Sequence, residues 1–327
     1  MKLASIEVIA NIEAHSNADS LEIVSVLGYK CVVRKGEFFA GDTVVFIQPD
    51  TVLPQTPAFE FFNQRSNRVK AIKLRGCWSF GIILSTQLFE DFKYYPIGRE
   101  VSDELGVTKY EPPQPQDLQA AGYPPSGLPK TDEERYQNCI DTLPYDSPVD
   151  VTLKIDGSSA TYYCFKIAEG DWESGICSRG LRMKPDCYNI YTRVEHQYTI
   201  LTKLQDYCVL HNVSLALRGE IYGHGVQDHV SNPHSKLPLN FAAYSVWNHD
   251  LRRYATPNED HYYTKVCDKL NIPTVPMLET QVPFSQSIIE KYSEGITHID
   301  GKRFEGVVIK HNTGSFKVIN LSYDERK

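Results

Sequence analysis

A chain of 327 residues is long enough for two domains with cores of their own, and 41% hydrophobic with 23% charged residues is the balance of an ordinary soluble protein. No apolar run is long enough to cross a bilayer, and the polar, charged residues of 1–19 do not read as a signal peptide. The net charge of −7 excludes a uniformly cationic surface, so any nucleic-acid contact requires cations gathered on one face.

Residues 1–105 read as short strands with turn punctuation. Residues 6–12 and 21–27 alternate, 30–33 form a short run before Lys35-Gly36, Gly41-Asp42 leads into 43–47, and 69–74 and 82–84 complete the series. Such spacing suggests a small closed all-β unit, for example a five-stranded barrel. The segment Ala14-His15-Ser16-Asn17-Ala18-Asp19-Ser20-Leu21 resembles the strand-to-strand turn of tRNA-binding-type OB-folds, with Ser16 where those carry proline.

Residues 110–129 are dense in Pro, Gly, Gln and Ser. Glu111-Pro112-Pro113-Gln114-Pro115 and Tyr123-Pro124-Pro125 predict an extended linker, dividing the chain into domains 1–109 and 130–327. In the second domain, 150–153 and 159–167 read as strands. Residues 190–210 carry Ile190, Val194, Leu201, Leu204 and Cys208 at helical spacing. Strands follow at 215–222 and 241–247, and Thr256-Pro257-Asn258-Glu259 has the capping hydroxyl, early proline and capping-box glutamate of a helix start. Final strands at 304–309 and 315–319 complete an α+β domain of largely antiparallel sheets. Eight cysteines without a C-x-x-C pair argue against a zinc ribbon or disulfide scaffold and for reduced thiols.

The chemistry is carried by an ordered set. Lys154-Ile155-Asp156-Gly157 is followed by Ser178-Arg179-Gly180, Arg218-Gly219-Glu220, Glu305-Gly306-Val307-Val308-Ile309-Lys310 and Phe316-Lys317. Each piece alone is commonplace; the order is specific. A lysine amine, with a reference pKa of about 10.4, is a nucleophile only once cations or desolvation remove its proton. A bound metal with Lys310 and Lys317 would do this, and would then stabilise charge on a phosphate. Asp156 would help hold the polar or metal network, and Gly157 relieves crowding where the strand turns away. Glu220 and Glu305 suit hard metal ions or ribose hydroxyls. Glu305 and Lys310 are an odd number of residues apart, so either a bulge intervenes or they reach the site from different sides. The set points to covalent nucleotidyl transfer, with Lys154 attacking the α-phosphate of a nucleotide.

This order resembles the covalent nucleotidyltransferase superfamily of polynucleotide ligases and capping enzymes. Within it, the chain is most similar to ATP-dependent RNA ligases of the Naegleria and Deinococcus type, which carry an OB-like domain before the catalytic one. The resemblance extends to Asp50-Thr51-Val52-Leu53-Pro54 and to Lys130-Thr131-Asp132-Glu133-Glu134-Arg135. It implies an N-terminal OB-like barrel followed by a nucleotidyltransferase domain in which Lys154 is adenylylated. Glu220 would bind ribose, while Glu305, with Asp156, would help hold Mg²⁺ or Mn²⁺. Lys310 and Lys317 would contact phosphate, Arg179 the ribose or acceptor end, and Arg135 the nucleotide. Tyr244, in Ala243-Tyr244-Ser245-Val246-Trp247, aligns with the aromatic that stacks on adenine; a core strand aromatic is the competing reading. Many ligases carry K-x-K in the last motif, whereas Val318-Ile319-Asn320 follows Lys317, leaving one role to Lys310. No C-terminal OB domain is expected, unlike in DNA ligases and capping enzymes.

Arg65-Ser66-Asn67-Arg68-Val69-Lys70-Ala71-Ile72-Lys73-Leu74-Arg75 places five cations in eleven residues on an expected strand. Taken alone the run reads as a solvated sheet edge protected by charge; in a barrel preceding a ligase core, Arg68, Lys70, Lys73 and Arg75 would form a phosphate-tracking surface. Arg179, Arg182 and Lys184 form a second cluster, the two expected on opposite sides of a nicked duplex. His224, His229 and His234 lie in a Gly- and Pro-containing stretch and read as surface-loop histidines. The expectation is a monomeric, cytoplasmic or nuclear RNA ligase using ATP and Mg²⁺ or Mn²⁺. It would seal 3′-OH/5′-phosphate nicks through lysyl-AMP and an adenylylated 5′ end. The rivals are an RNA-binding protein that keeps the fold with weak catalysis, a DNA ligase and a GTP-using capping enzyme.

Overall fold

The computed structural model describes residues 2–62, 67–110 and 119–323. Two compact units divide the chain, Met1–Pro113 and Gln114–Lys327. Among the described residues no helix is long and apolar enough to cross a membrane.

The first unit is built from short strands: β1 (Ala4–Val8), β2 (Asn11–Ala14), β3 (Leu21–Val26), β4 (Tyr29–Arg34), β5 (Thr43–Ile47), β6 (Thr51–Val52), β7 (Ile72–Leu74), β8 (Cys77–Ser79), β9 (Ile82–Ser85) and β10 (Thr108–Lys109), with a short helix α1 (Ser102–Leu105). They pair as β1-β5-β9, β2-β3-β4, β7-β8 and β6-β10. The unbroken apolar run of β5 is explained by burial on both faces. Val45 and Ile47 join Ala4, Ile6 and Phe59 in one core, while Val44 and Phe46 join Val24, Val26 and Tyr29 in another. The alternating run 6–12 breaks into two strands because Ile9 turns into that second core. The expected strand over 69–74 shortens to Ile72–Leu74, preceded by an isolated bridge between Arg68 and Val52.

The second unit contains two antiparallel sheets. The larger comprises β11 (Ala120–Gly122), β13 (Ser158–Ala168), β14 (Asp171–Cys177), β15 (Arg182–Met183), β16 (Leu215–Tyr222), β17 (Asn240–Asn248) and β18 (Arg253–Tyr254), in the order β11-β15-β14-β13-β16-β17-β18. The smaller has the order β19-β12-β22-β23, from β12 (Pro148–Lys154), β19 (Met277–Pro283), β22 (Gly306–His311) and β23 (Gly314–Ile319). A hairpin of β20 (His298–Ile299) and β21 (Lys302–Arg303) precedes β22. Helices α2 (Ile190–Tyr198), α3 (Ile200–His211) and α4 (Tyr263–Leu270) bury Val194, Leu204, Cys208 and Val266 against the larger sheet. Helix α5 (Gln286–Glu290) and the π-helical turn Lys291–Gly295 cover the smaller one through Ile288, Ile289 and Tyr292.

Three expectations change. The helical span 190–210 is two helices, broken where Thr199 adopts φ 51°. The capping-box bonds at Thr256 form, Glu259 accepting from its amide at 2.7 Å and from its hydroxyl at 3.1 Å, but they close a turn; α4 begins at Tyr263. Within the segment read as linker, 111–118 lie outside the described residues, and Ala120–Gly122 is a strand paired with β15. The stretch after it is held by Arg218, only 1% exposed, which donates to the carbonyls of Pro129 and Lys130 and to the Tyr254 hydroxyl.

Gly306 settles how Glu305 relates to Lys310. Phe304 and Val307, three apart, both enter the smaller sheet's core, so strict alternation begins only at Gly306. Glu305 thereby shares a face with Lys154 although its spacing from Lys310 is odd. A Cβ on Gly306 would collide with the Val318 carbonyl of β23. Gly306→Ala is therefore expected to cost roughly 1–3 kcal/mol by forcing β22 from β23. Urea unfolding measures this, and an unchanged midpoint would show that the strands separate freely.

Candidate active site

Antiparallel register gathers one half of the site. Val149, Val151, Val307, Ile309, Phe316 and Val318 face the core of the smaller sheet. Asp150, Thr152 and Lys154 of β12 therefore emerge on the opposite face, where Lys154 pairs with Gly306, Thr152 with Val308, and Val308 with Lys317. Lys154 Nζ contacts Glu305 Oε1 at 2.6 Å. Lys317 is tied from the other side, its amide donating to the Glu134 carbonyl at 2.7 Å beside a parallel bridge to Arg135.

The other half comes from the larger sheet. Leu215, Leu217 and Ile221 of β16 enter the core, leaving Arg218 and Glu220 on the other face. Glu220 pairs with Ser159 in register, and Gly157 lets the turn after Lys154 lie against it, since a Cβ there would strike the Ile221 carbonyl and the Glu220 side chain. A bulge in β17 inserts one residue between the partners of Arg218 and Gly219. It leaves Tyr244 unpaired, with its hydroxyl hydrogen-bonded to Ser159 Oγ at 3.1 Å.

The charges of the two halves act on one another. Burial works against the Lys154 ammonium, but Glu305, Glu220 and Asp156 outweigh it and hold its pKa above the usual lysine value. Burial pushes the Glu220 carboxyl up to about 8, Lys154 opposing and Glu305 reinforcing the shift. Lys317 is pushed down to about 8 by burial, then by Lys154 and Arg135. Burial and the nearby Glu220 raise the Tyr244 phenol. Lys154, Glu220, Glu305, Asp156 and Lys317 thus form one electrostatic group.

Lys310 lies elsewhere on the same face. It pairs with Asp150, four residues, or about 13 Å of strand, from Gly306. It is buried, its ammonium 5.3 Å from the Tyr263 ring centroid; burial pushes its pKa down, with Glu133 and Asp150 opposing. Lys310 is not among the groups acting on Lys154, and the lysine coupled to Lys154 is Lys317. Ligand-free Lys154 is held as an ammonium rather than driven to neutrality by its neighbours.

Of the remaining candidates, Arg179 pairs with Asp132 at 2.9 Å and Arg182 with Glu173 at 2.7 Å. In the first unit, Arg68 is committed to Asp50 at 2.6 Å and lies 3.7 Å over the Tyr110 ring, so it is not an open phosphate contact. Lys70, Lys73 and Arg75 are exposed, Lys73 near Trp78, while Arg65 lies outside the described residues.

Sequence reading missed His229. It is 7% exposed, not a surface histidine, and its Nε2 meets Asp156 Oδ2 at 2.6 Å. The only available signal was its proximity to other polar residues after β16, and no spacing links it to Asp156.

Among the described residues no group of three His, Cys, Asp or Glu side chains is arranged to hold a metal ion by itself. The donor chemistry nonetheless fits a hard divalent cation. Carboxylates crowd one ammonium, and such ions are commonly held by one or two carboxylates together with water and substrate phosphates.

A family model described as RNA ligase matches residues 147–320, and one described as an OB-fold domain matches residues 3–86. Among solved structures, a variant of Naegleria gruberi RNA ligase with AMP and Mn is 27% identical with a TM-score of 0.79, covering 98% of this chain and 97% of that one. A second variant, with ATP and Mn, is 27% identical with a TM-score of 0.77, covering 98% of each chain. The Naegleria gruberi ligase with PPi is 28% identical with a TM-score of 0.77, covering 98% of this chain and 97% of that one. No curated protein sequence matches the chain.

A carboxyl pushed up to about 8 keeps its proton where the unfolded chain has lost it. Its stabilising contribution is full below the ordinary value of 4.5 and is lost as pH rises towards 8. Glu220→Gln, which cannot ionise, is expected to gain stability over the native protein across that interval and level off above it. Paired urea unfolding of ligand-free proteins measures the difference, and parallel pH profiles would overturn the assignment.

Proposed function

The chain belongs to the RNA ligase family, and from that premise we propose that it is an ATP-dependent RNA ligase sealing 3′-OH/5′-phosphate nicks. The observation that carries this reading is Lys154 seated on Glu305, with Glu220 and Asp156 around it and Lys317 nearby. The nucleotides held by the Naegleria gruberi ligase structures support ATP as the donor.

In the first step Lys154 loses its proton to solvent by way of the Glu305 carboxylate it contacts, and its lone pair attacks the α-phosphorus of ATP. A P–N bond forms, the bond to the β-phosphate oxygen breaks, and pyrophosphate leaves with the electron pair. Lys317 and Arg135 face the charge that grows on the phosphate oxygens. Glu220 binds the ribose hydroxyls, and a carboxyl held up to about 8 does so without adding full negative charge beside the phosphates. Tyr244, on the face of Glu220, offers its ring to adenine. Glu305 and Asp156 would hold a divalent cation, which would supply positive charge to stabilise the reacting phosphate.

In the second step a 5′-phosphate oxygen of the RNA attacks the lysyl-AMP phosphorus, and the P–N bond breaks as the amine regains a proton. In the third, the adjacent 3′-OH attacks the activated 5′-phosphorus, closing the phosphodiester and releasing AMP. Arg179, on the turn between β14 and β15, and Arg182, which opens β15, contact the ends to be joined in this reading. The exposed Lys70, Lys73 and Arg75 of the first unit track RNA phosphates.

Incubation with α-labelled ATP or GTP and Mg²⁺ or Mn²⁺ is expected to label the native protein from ATP and to leave Lys154→Ala unlabelled. Absence of label from either nucleotide would sink the enzyme reading and leave RNA binding alone; label from GTP only would favour capping. Combined Lys70→Ala, Lys73→Ala and Arg75→Ala is expected to weaken nicked-RNA binding and reduce its log–log salt slope by about 3. An unchanged slope would remove the first unit's cations from RNA binding.

A further inference from the structure

Asp156 is held more completely than a flexible turn requires. Its Oδ2 accepts from His229 Nε2 at 2.6 Å and from the Tyr323 hydroxyl at 2.8 Å. Its backbone carbonyl accepts from Asn232 Nδ2 at 3.0 Å, which also reaches the Gln227 carbonyl at 3.0 Å. The rings of His229 and Tyr323 meet edge-to-face, with centroids 5.7 Å apart at 74°. A carboxylate only accepts, so Nε2 of His229 carries the hydrogen in this contact. The clamp therefore joins three separate parts of the second unit: the turn after Lys154, the loop between β16 and β17, and the segment following β23.

The arrangement has a directional consequence. Two donors on the same oxygen fix the plane of the carboxylate, and Oδ1 accepts from neither of them. Asp156 also acts electrostatically on both Lys154 and Glu220, so its carboxylate belongs to their group. We propose that His229 and Tyr323 are positioning residues that orient Asp156, presenting its second oxygen to the divalent cation and its water around Lys154. Ligand-orienting hydrogen bonds of this kind are commonly worth 10–100-fold in metal affinity or activity. The proposal rests on the nucleotidyl-transfer reading of Asp156.

The test uses the full chain as wild type, His229→Ala, His229→Gln, Tyr323→Phe and Asp156→Asn. Single-turnover labelling of Lys154 from ATP is followed against Mn²⁺ concentration. Mn²⁺ retention with a non-hydrolysable ATP analogue is read by electron paramagnetic resonance, and the imidazole N–H proton by ¹H NMR. We expect His229→Ala and Tyr323→Phe to raise half-saturating Mn²⁺ by roughly 10-fold or more, with His229→Gln, which keeps a donor, in between. The resonance measurement should show the same order of Mn²⁺ retention. A downfield imidazole proton should be present in wild type, absent in His229→Ala and shifted in Asp156→Asn. A merely structural role would lower the active fraction without moving the Mn²⁺ midpoint. Wild-type Mn²⁺ dependence and retention in Tyr323→Phe and His229→Gln would overturn the proposal, and these two decide if His229→Ala fails to fold. If wild type takes no label, the ligase reading fails, while the retention and NMR measurements still judge the clamp.

Discussion

Enclosing one ammonium among several carboxylates is the constraint on which the rest of the catalytic unit turns. Burial penalises every charged form it covers unless another charge or a hydrogen bond compensates it. Lys154 is compensated by Glu305, while Glu220, held back by its burial and further by the charge of Glu305, resists ionising. Lys317 experiences the converse: it is enclosed near Lys154 and Arg135 and moves towards its neutral form. These are three responses to the same enclosed space. They require Lys154, Glu305 and Lys317 to stay in register across β12, β22 and β23, which is why a glycine at 306 matters to chemistry as well as to packing.

Both sheets solve the same problem of having two faces. The smaller sheet gives its valines, isoleucine and phenylalanine to α5 and the π-helical turn, and the larger gives its leucines and isoleucines to α2, α3 and α4. Each sheet then has a second face on which polar side chains can project. Function thus occupies what the cores leave over, and the apolar alternation that builds each core determines which polar residues meet.

That alternation is also why part of the site was legible and part was not. Strands at 215–222 and 315–319 can be read from periodicity, and with them the common direction of Arg218 with Glu220 and the placement of Lys317. The position of Glu305 cannot, because the slip between Phe304 and Val307 is a tertiary packing choice between two equally plausible alternatives. The bulge at Tyr244 is hidden for the same reason: Phe241, Ala243 and Val246 all reach the core, and only the partner strand shows which residue is extra. Arg68 looked like a free cation because its partners, Asp50 and Tyr110, are remote in sequence. His229 was obscured likewise, lying 73 positions from Asp156 in a stretch whose composition reads as exposed loop.

The buried Arg218 has a consequence for the spacing between the two sheets of the second unit. On β16 it stands two residues from Glu220 on the same face, and it grips the chain at Pro129 and Lys130. Five residues later, Arg135 bridges to Lys317 on the other sheet. The side that would receive the sugar and the side that would receive the phosphates are thus joined by a short peptide strap of fixed length. That strap works as a gauge: adding or removing one residue in it would change the spacing it sets between the sheets while leaving Lys154 and Glu220 on their own strands.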